Sequence, residues 1–149
     1  MIRKATTCDA SRIAEISIFT KRMNYRKIFH NDKVSFGEMQ VYPLAKSYID
    51  NPAEMDGMWV YDDEFVKGYI NVDKKTVKEL YVDSFFEGRG IGGQLLEFAI
   101  TSFDCDNLWV LEENLRAKSF YISHGFFESG KRKPEDGTDK YIIELIRKS

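Results

Sequence analysis

The stretch "EGRGIGGQLL", residues 87–96, decides how the rest of the chain is read. Gly88, Gly90 and Gly93 spell G-x-G-x-x-G, the fingerprint of a dinucleotide-binding turn. With Gly92, four glycines fall within six residues, more than a tight strand-to-helix turn requires. Glycine lets a backbone approach an anion closely and adopt positive φ. Ile91, Leu95, Leu96 and Ala99, with Phe98 alongside, spell a helix opening near Gly90. The free N–H groups and positive dipole end of that helix would face a phosphate, and Arg89 adds a fixed positive charge.

Working outward, "TVKELYV" upstream reads as a strand and "NLWVL" downstream as another, ending at Glu112. Further upstream, "MWVY" and "FVKGYINVD" read as two antiparallel strands about the turn "DDE", with "KK" as the next turn. "IRKAT" is a short first strand. Asp9 or Ser11 can cap the helix after it, and Ile13, Ile16, Phe19 and Met23 are assigned to one helical face. "SFGEMQVYPLAKSYID" is expected to form one or two short helices broken near Pro43. Asn114 can cap a helix carrying Ala117, Phe120 and Tyr121. "GFFESGK" and "KYIIELI" close the chain as a strand pair joined by the loop "RKPEDGTD". The order of elements predicts an α/β (α+β) fold with a mixed, largely antiparallel sheet.

That order argues against a nicotinamide-binding fold. The dinucleotide glycines begin directly after an apolar strand, whereas "DSFFE" intervenes here. An antiparallel meander precedes them, and too few elements follow Glu112 to complete a doubly wound sheet. Glu112 is then an exposed loop acid and not a ribose ligand.

Composition sets outer limits. The chain has 149 residues, 43% of them apolar with 11 Phe and 8 Tyr, enough for one domain spanning 1–149. The net charge of −2, with acids and bases interspersed, argues against nucleic-acid binding. Cys8 and Cys105 lie far apart and make no metal-ligand spacing, so no metal is expected. The opening residues read as strand and helix and not as a leader, and no apolar run reaches membrane-spanning length. A reduced, cytoplasmic protein is the expectation.

A second block, "LWVLEENLRAKSFYISHGF", settles which phosphate is meant. Together with "LYVDSFFEGRGIGGQLL", it resembles the GNAT superfamily of acyl-CoA-dependent N-acyltransferases, and the resemblance extends back to "IRKATTCDASRIAEI". The family's pyrophosphate signature aligns with Glu87, Gly90 and Gly92. Glu87 departs from it, standing where Gln or Arg is usual. The later pattern, N-x-x-A-x-x-F-Y-x-x-x-G-F, is matched in full by Asn114, Ala117, Phe120, Tyr121, Gly125 and Phe126.

The resemblance implies a sheet with helices on both faces and two central strands splayed around the pantetheine arm. It implies a ternary complex in which a primary amine, on a small molecule or a peptide, attacks the thioester of acetyl-CoA. Glu87, Gly88, Arg89, Gly90, Ile91, Gly92 and Gly93 would hold the pyrophosphate. The backbone of Leu80, Tyr81 and Val82 would pair with the pantetheine amides, their side chains serving the core. Asn114, Ala117 and Phe120 would complete the coenzyme site. Tyr121 would act as the general acid on the departing thiolate. Glu79 is the candidate base, with Tyr81 and water as alternatives. His124 reads as a surface residue at a helix end. Trp109 stands where peptide N-terminal acetylating relatives carry Glu. Tyr25 and Phe29 are candidates to wall the acceptor cleft or to pack their helix. A monomer or homodimer is expected. A binding module that holds acyl-CoA without catalysis is the alternative.

Overall fold

The computed structural model describes residues 1–29 and 40–148, including all of their side chains except those of residues 25–29. The elements are β1 (Ile2–Lys4), α1 (Ala10–Phe29), α2 (Val41–Asp50), β2 (Met58–Asp63), β3 (Phe65–Asp73), β4 (Thr76–Val82), α3 (Ile91–Phe103), β5 (Asn107–Leu111), α4 (Leu115–Ser123), β6 (Phe126–Pro134) and β7 (Tyr141–Arg147). The seven strands are hydrogen-bonded in the order β1-β2-β3-β4-β5-β7-β6. β4 and β5 run parallel, and β1–β2, β2–β3, β5–β7 and β6–β7 are antiparallel. The mixed, largely antiparallel sheet read from the sequence is therefore the observed one.

Local chemistry sets the boundaries. Glu64 and Lys74 take positive φ, 68° and 57°, and so turn β2 into β3 and β3 into β4. Of the stretch expected to form one or two short helices broken near Pro43, residues 35–39 lie outside the described residues. Pro43 itself interrupts no part of α2. It lies in the first turn of α2, where its missing N–H has no intrahelical partner to lose. β6 runs on through Arg132 and Lys133 to Pro134, taking in residues expected to be loop. A register shift between Glu128 and Arg132, with Gly130 at φ 96°, absorbs the extra length.

Two compact units emerge. The first comprises Met1–Asn71 and Glu79–Glu97. Its core joins Ala10, Ile13 and Ala14 of α1 to Ala45 and Tyr48 of α2, Met58 and Val60 of β2, and Tyr69 of β3. The α1 face differs from expectation. Ile13, Ile16, Ser17 and Ile18 are buried, but Phe19 and Met23 are 51% and 53% exposed. Steps of three residues slip about 60° per step around a helix of 3.6 residues per turn, so a run of such steps leaves the buried stripe. Nor does Asp9 cap α1 directly. It belongs to a short 3₁₀ turn, where its Oδ2 accepts from the Thr6 N–H at 2.9 Å. Arg3 grips the same carboxylate through two nitrogens, each at 2.9 Å.

The second unit comprises Val72–Lys78 and Phe98–Ser149. β4 enters it at Thr76 and Val77, which are laddered to Asn107 and Leu108 of β5. Buried Leu108 and Val110 of β5 lie opposite buried Leu145 and Ile143 of β7. Cys105 is wholly buried at the entry to β5, and burial, with Asp106 and Asp104 nearby, pushes its thiol up to about 11.

Candidate active site

In the first unit, β4 ends at Val82 and the chain makes a short 3₁₀ turn, Ser84–Phe86, before α3. Asp83 caps that turn by accepting from the Phe85 N–H at 2.9 Å, and Arg12 of α1 grips the other carboxylate oxygen at 2.6 Å. Burial alone would raise the Asp83 carboxyl. The Phe85 N–H and the Arg12 guanidinium hold it below the usual carboxylate range. The entry to the glycine turn is thus fastened to α1. Gly88 and Gly90 then take φ of 79° and 80°, a conformation that side chains other than glycine rarely adopt. The first bond of α3 runs from the Gln94 N–H to the Gly90 carbonyl, 3.0 Å. The N–H groups of Ile91, Gly92 and Gly93, one turn earlier, are left without intrahelical acceptors. Around the turn, Glu87 is exposed and the Arg89 guanidinium lies 5.3 Å from the centre of the Phe86 ring. A backbone that turns twice through positive φ into a helix start suits an anion.

At the other end of the same β4 segment, Glu79 is the focus of a polar cluster. Its Oε2 accepts from the Tyr69 hydroxyl at 3.1 Å and faces Lys21 Nζ at 3.4 Å. Its Oε1 accepts from Asn71 Nδ2 at 3.3 Å. Tyr69 and Asn71 are two apart on β3 and so share one face of the sheet. The Tyr81 ring stands edge-on to Tyr69, with centroids 5.9 Å apart. Burial, with the Glu79 charge, raises the Tyr69 phenol well above its ordinary value, so Tyr69 is a fixed donor to the carboxylate. Gly68 is glycine for a packing reason. A Cβ there would lie 3.0 Å from the Tyr81 carbonyl and 3.4 Å from both Ile91 and Leu95.

In the second unit, the Asn114 side chain caps α4 by accepting from the Ala117 N–H at 3.2 Å. Tyr121 is buried, with its ring 5.2 Å from Phe120 and 5.9 Å from Phe126. Burial raises its phenol above the ordinary tyrosine value, so it keeps its proton and can offer a hydrogen bond. Among the described residues the Tyr121 hydroxyl donates no hydrogen bond. His124, by contrast, is spent on its own helix end, its Nδ1 2.8 Å from the Phe120 carbonyl. Glu112 makes a two-pronged ion pair with Arg132, at 2.9 and 3.0 Å. Trp109 lies opposite Glu144 on β7, under the Lys133 ammonium at 4.3 Å. The side chains of Tyr25 and Phe29 lie outside the described residues.

Residues 54–128, which take in the glycine turn, Glu79 and Tyr121, match the family model described as an acetyltransferase (GNAT) domain. The chain belongs to the GNAT family. Solved structures with the same fold cover nearly all of it. An N-acetyltransferase from Staphylococcus aureus Mu50 superposes with a TM-score of 0.77 at 18% identity, over 98% of this chain and 99% of the other. PaiA N-acetyltransferase from Thermoplasma acidophilum, in complex with coenzyme A, gives 0.67 at 20% identity, over 97% and 96%. YncA from Salmonella typhimurium, with its cofactor acetyl-CoA, gives 0.65 at 18% identity, over 97% and 91%. No curated protein matches the sequence.

Within this GNAT domain the structure adds residues that the sequence reading passed over. Lys21, Tyr69 and Asn71 surround Glu79, and Arg12 with Asp83 anchors the glycine turn. The alternation of Tyr69 and Asn71 was a usable signal, since two polar-tipped side chains on one face of a central strand are unusual in a core. Lys21 gave none, because its partner is 58 positions away. Among the described residues, no cluster of three or more His, Cys, Asp or Glu is arranged to hold a metal ion. No described helix is long and apolar enough to cross a membrane.

Proposed function

We propose that the protein transfers the acetyl group of acetyl-CoA to a primary amine by direct attack, with residues 1–149 acting as one catalytic domain. The observation that carries this reading is the glycine turn into α3, with Gly88 and Gly90 both at positive φ, within a chain that belongs to the GNAT family. Two structural neighbours were solved with coenzyme A or acetyl-CoA, which supports the same cosubstrate here. The N–H groups at Gly90, Ile91, Gly92 and Gly93 receive the pyrophosphate, with Glu87, Gly88 and Arg89 forming the approach. Glu87 is exposed, so its charge need not face the phosphates. The backbone of Leu80, Tyr81 and Val82, beyond the two residues of β4 laddered to β5, pairs with the pantetheine amides. Asn114, Ala117 and Phe120 support the coenzyme through the start and middle of α4.

Two protons must move. An ammonium has no lone pair, so the acceptor must lose a proton before it attacks the carbonyl carbon. Glu79, held by Tyr69 and Asn71 at the head of the pantetheine segment, takes that proton. As the C–S bond breaks, the sulfur gains negative charge. Tyr121, matching the family motif and kept protonated by burial, donates to it. The acceptor is an amine on a small molecule or peptide. One structural neighbour is a ribosomal-protein-alanine N-acetyltransferase from Brucella melitensis, which supports the peptide alternative.

The test is to incubate the protein with acetyl-CoA and a broad amine panel and to follow free thiol. Amine-dependent thiol release that falls in both Glu79→Gln and Tyr121→Phe is expected. Tight acetyl-CoA binding with no turnover on any amine would instead identify a non-catalytic acyl-CoA sensor.

A further inference from the structure

The polar cluster around Glu79 already contains an amine. Lys21 Nζ lies 3.4 Å from Glu79 Oε2 and 6.0 Å from the centre of the Tyr81 ring. This ion pair differs in kind from others made by lysine in the chain. In Lys46–Asp50, Lys67–Asp63, Lys75–Asp104 and Lys140–Glu113 the carboxylate partner is between 52% and 61% exposed, whereas Glu79 is 18% exposed. Water therefore screens those four pairs far more than it screens Lys21. Lys21 itself keeps 29% of its side-chain exposure, and its four-carbon stem leaves the ammonium free to shift within the site.

If Glu79 deprotonates the acceptor, the acceptor nitrogen must come within hydrogen-bond reach of its carboxylate. Lys21 Nζ lies just beyond that reach, 3.4 Å from Oε2, a gap its flexible stem can close, and the residue after Glu79 begins the segment assigned to the pantetheine arm. We propose that Lys21 is a site of self-acetylation, its side-chain amine taking the acetyl group of bound acetyl-CoA when no free acceptor is present. This inference rests on the reading of Glu79 as base and residues 80–82 as the coenzyme strand. The step balances without a further reactant. One ammonium proton passes to Glu79 and on to solvent. The freed lone pair forms the N–C bond to the acetyl carbon, and the C–S bond breaks with its electron pair on sulfur. The second nitrogen proton ends on that thiolate, giving coenzyme A and an uncharged acetyl-lysine. Acetylation then removes the cation that faces Glu79, so the modified protein presents a carboxylate with one charged partner fewer to the incoming amine.

The test uses the full chain, isotopically labelled acetyl-CoA and no added amine, with peptide mass mapping alongside free-thiol release. The expected result is one acetyl group per chain on Lys21, absent from Lys21→Arg and unchanged in Lys46→Arg. Glu79→Gln should slow the labelling about tenfold or more, and millimolar butylamine should slow it by competition. Melting curves and a Glu79→Asp variant separate lost chemistry from lost fold, since Asp keeps a base at the site. Label spread over Lys46, Lys75 and Lys140 at rates matching Lys21 would mean chemical acetylation of surface amines and overturn the proposal. So would turnover of an added amine by protein whose Lys21 stays unlabelled when no amine is added, which leaves the acetyltransferase reading intact. Failure of both free amines and Lys21 to accept acetyl from bound acetyl-CoA would remove that reading and this one together.

Discussion

At the scale of single residues, Tyr121 offers the sharpest separation of chemistry from packing. Its ring is held between Phe120 and Phe126, and Tyr121→Phe keeps that ring while deleting the hydroxyl. The hydroxyl donates no hydrogen bond among the described residues, so little stability should be lost with it. If the hydroxyl stabilises the departing thiolate, turnover should fall by about ten- to a thousandfold with acetyl-CoA affinity nearly unchanged. A more acidic acyl-thiol donor, which needs less help to leave, should recover part of that loss. Steady-state thiol release with both donors decides it, and near-normal rates on the natural thioester would exclude Tyr121 from the mechanism. How far such residues were legible differs by cause. Tyr121 could be read because the pattern around it is local, from Asn114 to Phe126. Glu79 could be named, but not its surroundings. Tyr69, Asn71 and Lys21 reach it through strand pairing and a helix that no local spacing records.

At the scale of elements, β4 and β5 were read from the sequence with the ends they have in the structure, "TVKELYV" and "NLWVL", because turn residues bracket compact apolar runs. The α1 face was misjudged because apolar residues at three-residue intervals were followed beyond the stripe that a helix can bury. The start of α1 was also misjudged, since Asp9 serves the turn before it. Arg3 on β1 and Thr6 both bind the Asp9 carboxylate, so this one group ties strand to helix. Asp9→Ala should therefore lower stability by about 2 kcal/mol, the scale of charge-assisted hydrogen bonds lost at a largely buried position. The pH dependence has a definite sign. The Arg3 hydrogen bonds hold the Asp9 carboxyl below its ordinary value, against a burial that acts the other way. The native state therefore binds the proton less readily than the unfolded chain. Its stabilising contribution is present above the unfolded carboxylate value, near pH 4, and is lost as pH falls through the lower native value. Urea melts across the acid range should show the wild type losing stability there more steeply than Asp9→Ala. Parallel curves would mean that Asp9 contributes nothing to the acid limb.

At the scale of the whole molecule, the question is which phosphate-bearing ligand the folded state prefers. The glycine spacing alone fits a dinucleotide as well as coenzyme A. The fold separates them, because a largely antiparallel seven-stranded sheet with a parallel β4–β5 pair is not a doubly wound parallel sheet. A ligand that binds only the native state stabilises it by mass action, about 2.7 kcal/mol when present at a hundred times its dissociation constant. For a domain of this size that corresponds to a melting-point rise of roughly 5–10 °C. Coenzyme A and acetyl-CoA should both give such a rise, and NAD at equal concentration should give almost none. Gly90→Val supplies the internal control. A Cβ at Gly90 meets nothing within 4 Å, so a side chain there has room, but the φ of 80° strains any residue other than glycine. The variant should melt somewhat lower than the wild type, by the ~1–3 kcal/mol that such backbone strain costs, and should lose most of its response to coenzyme A. The two effects are separable because each variant serves as its own baseline without ligand. A full coenzyme A shift in Gly90→Val would reduce the glycine turn to a structural bend. A shift with NAD and none with coenzyme A would overturn the coenzyme assignment, whatever the fold.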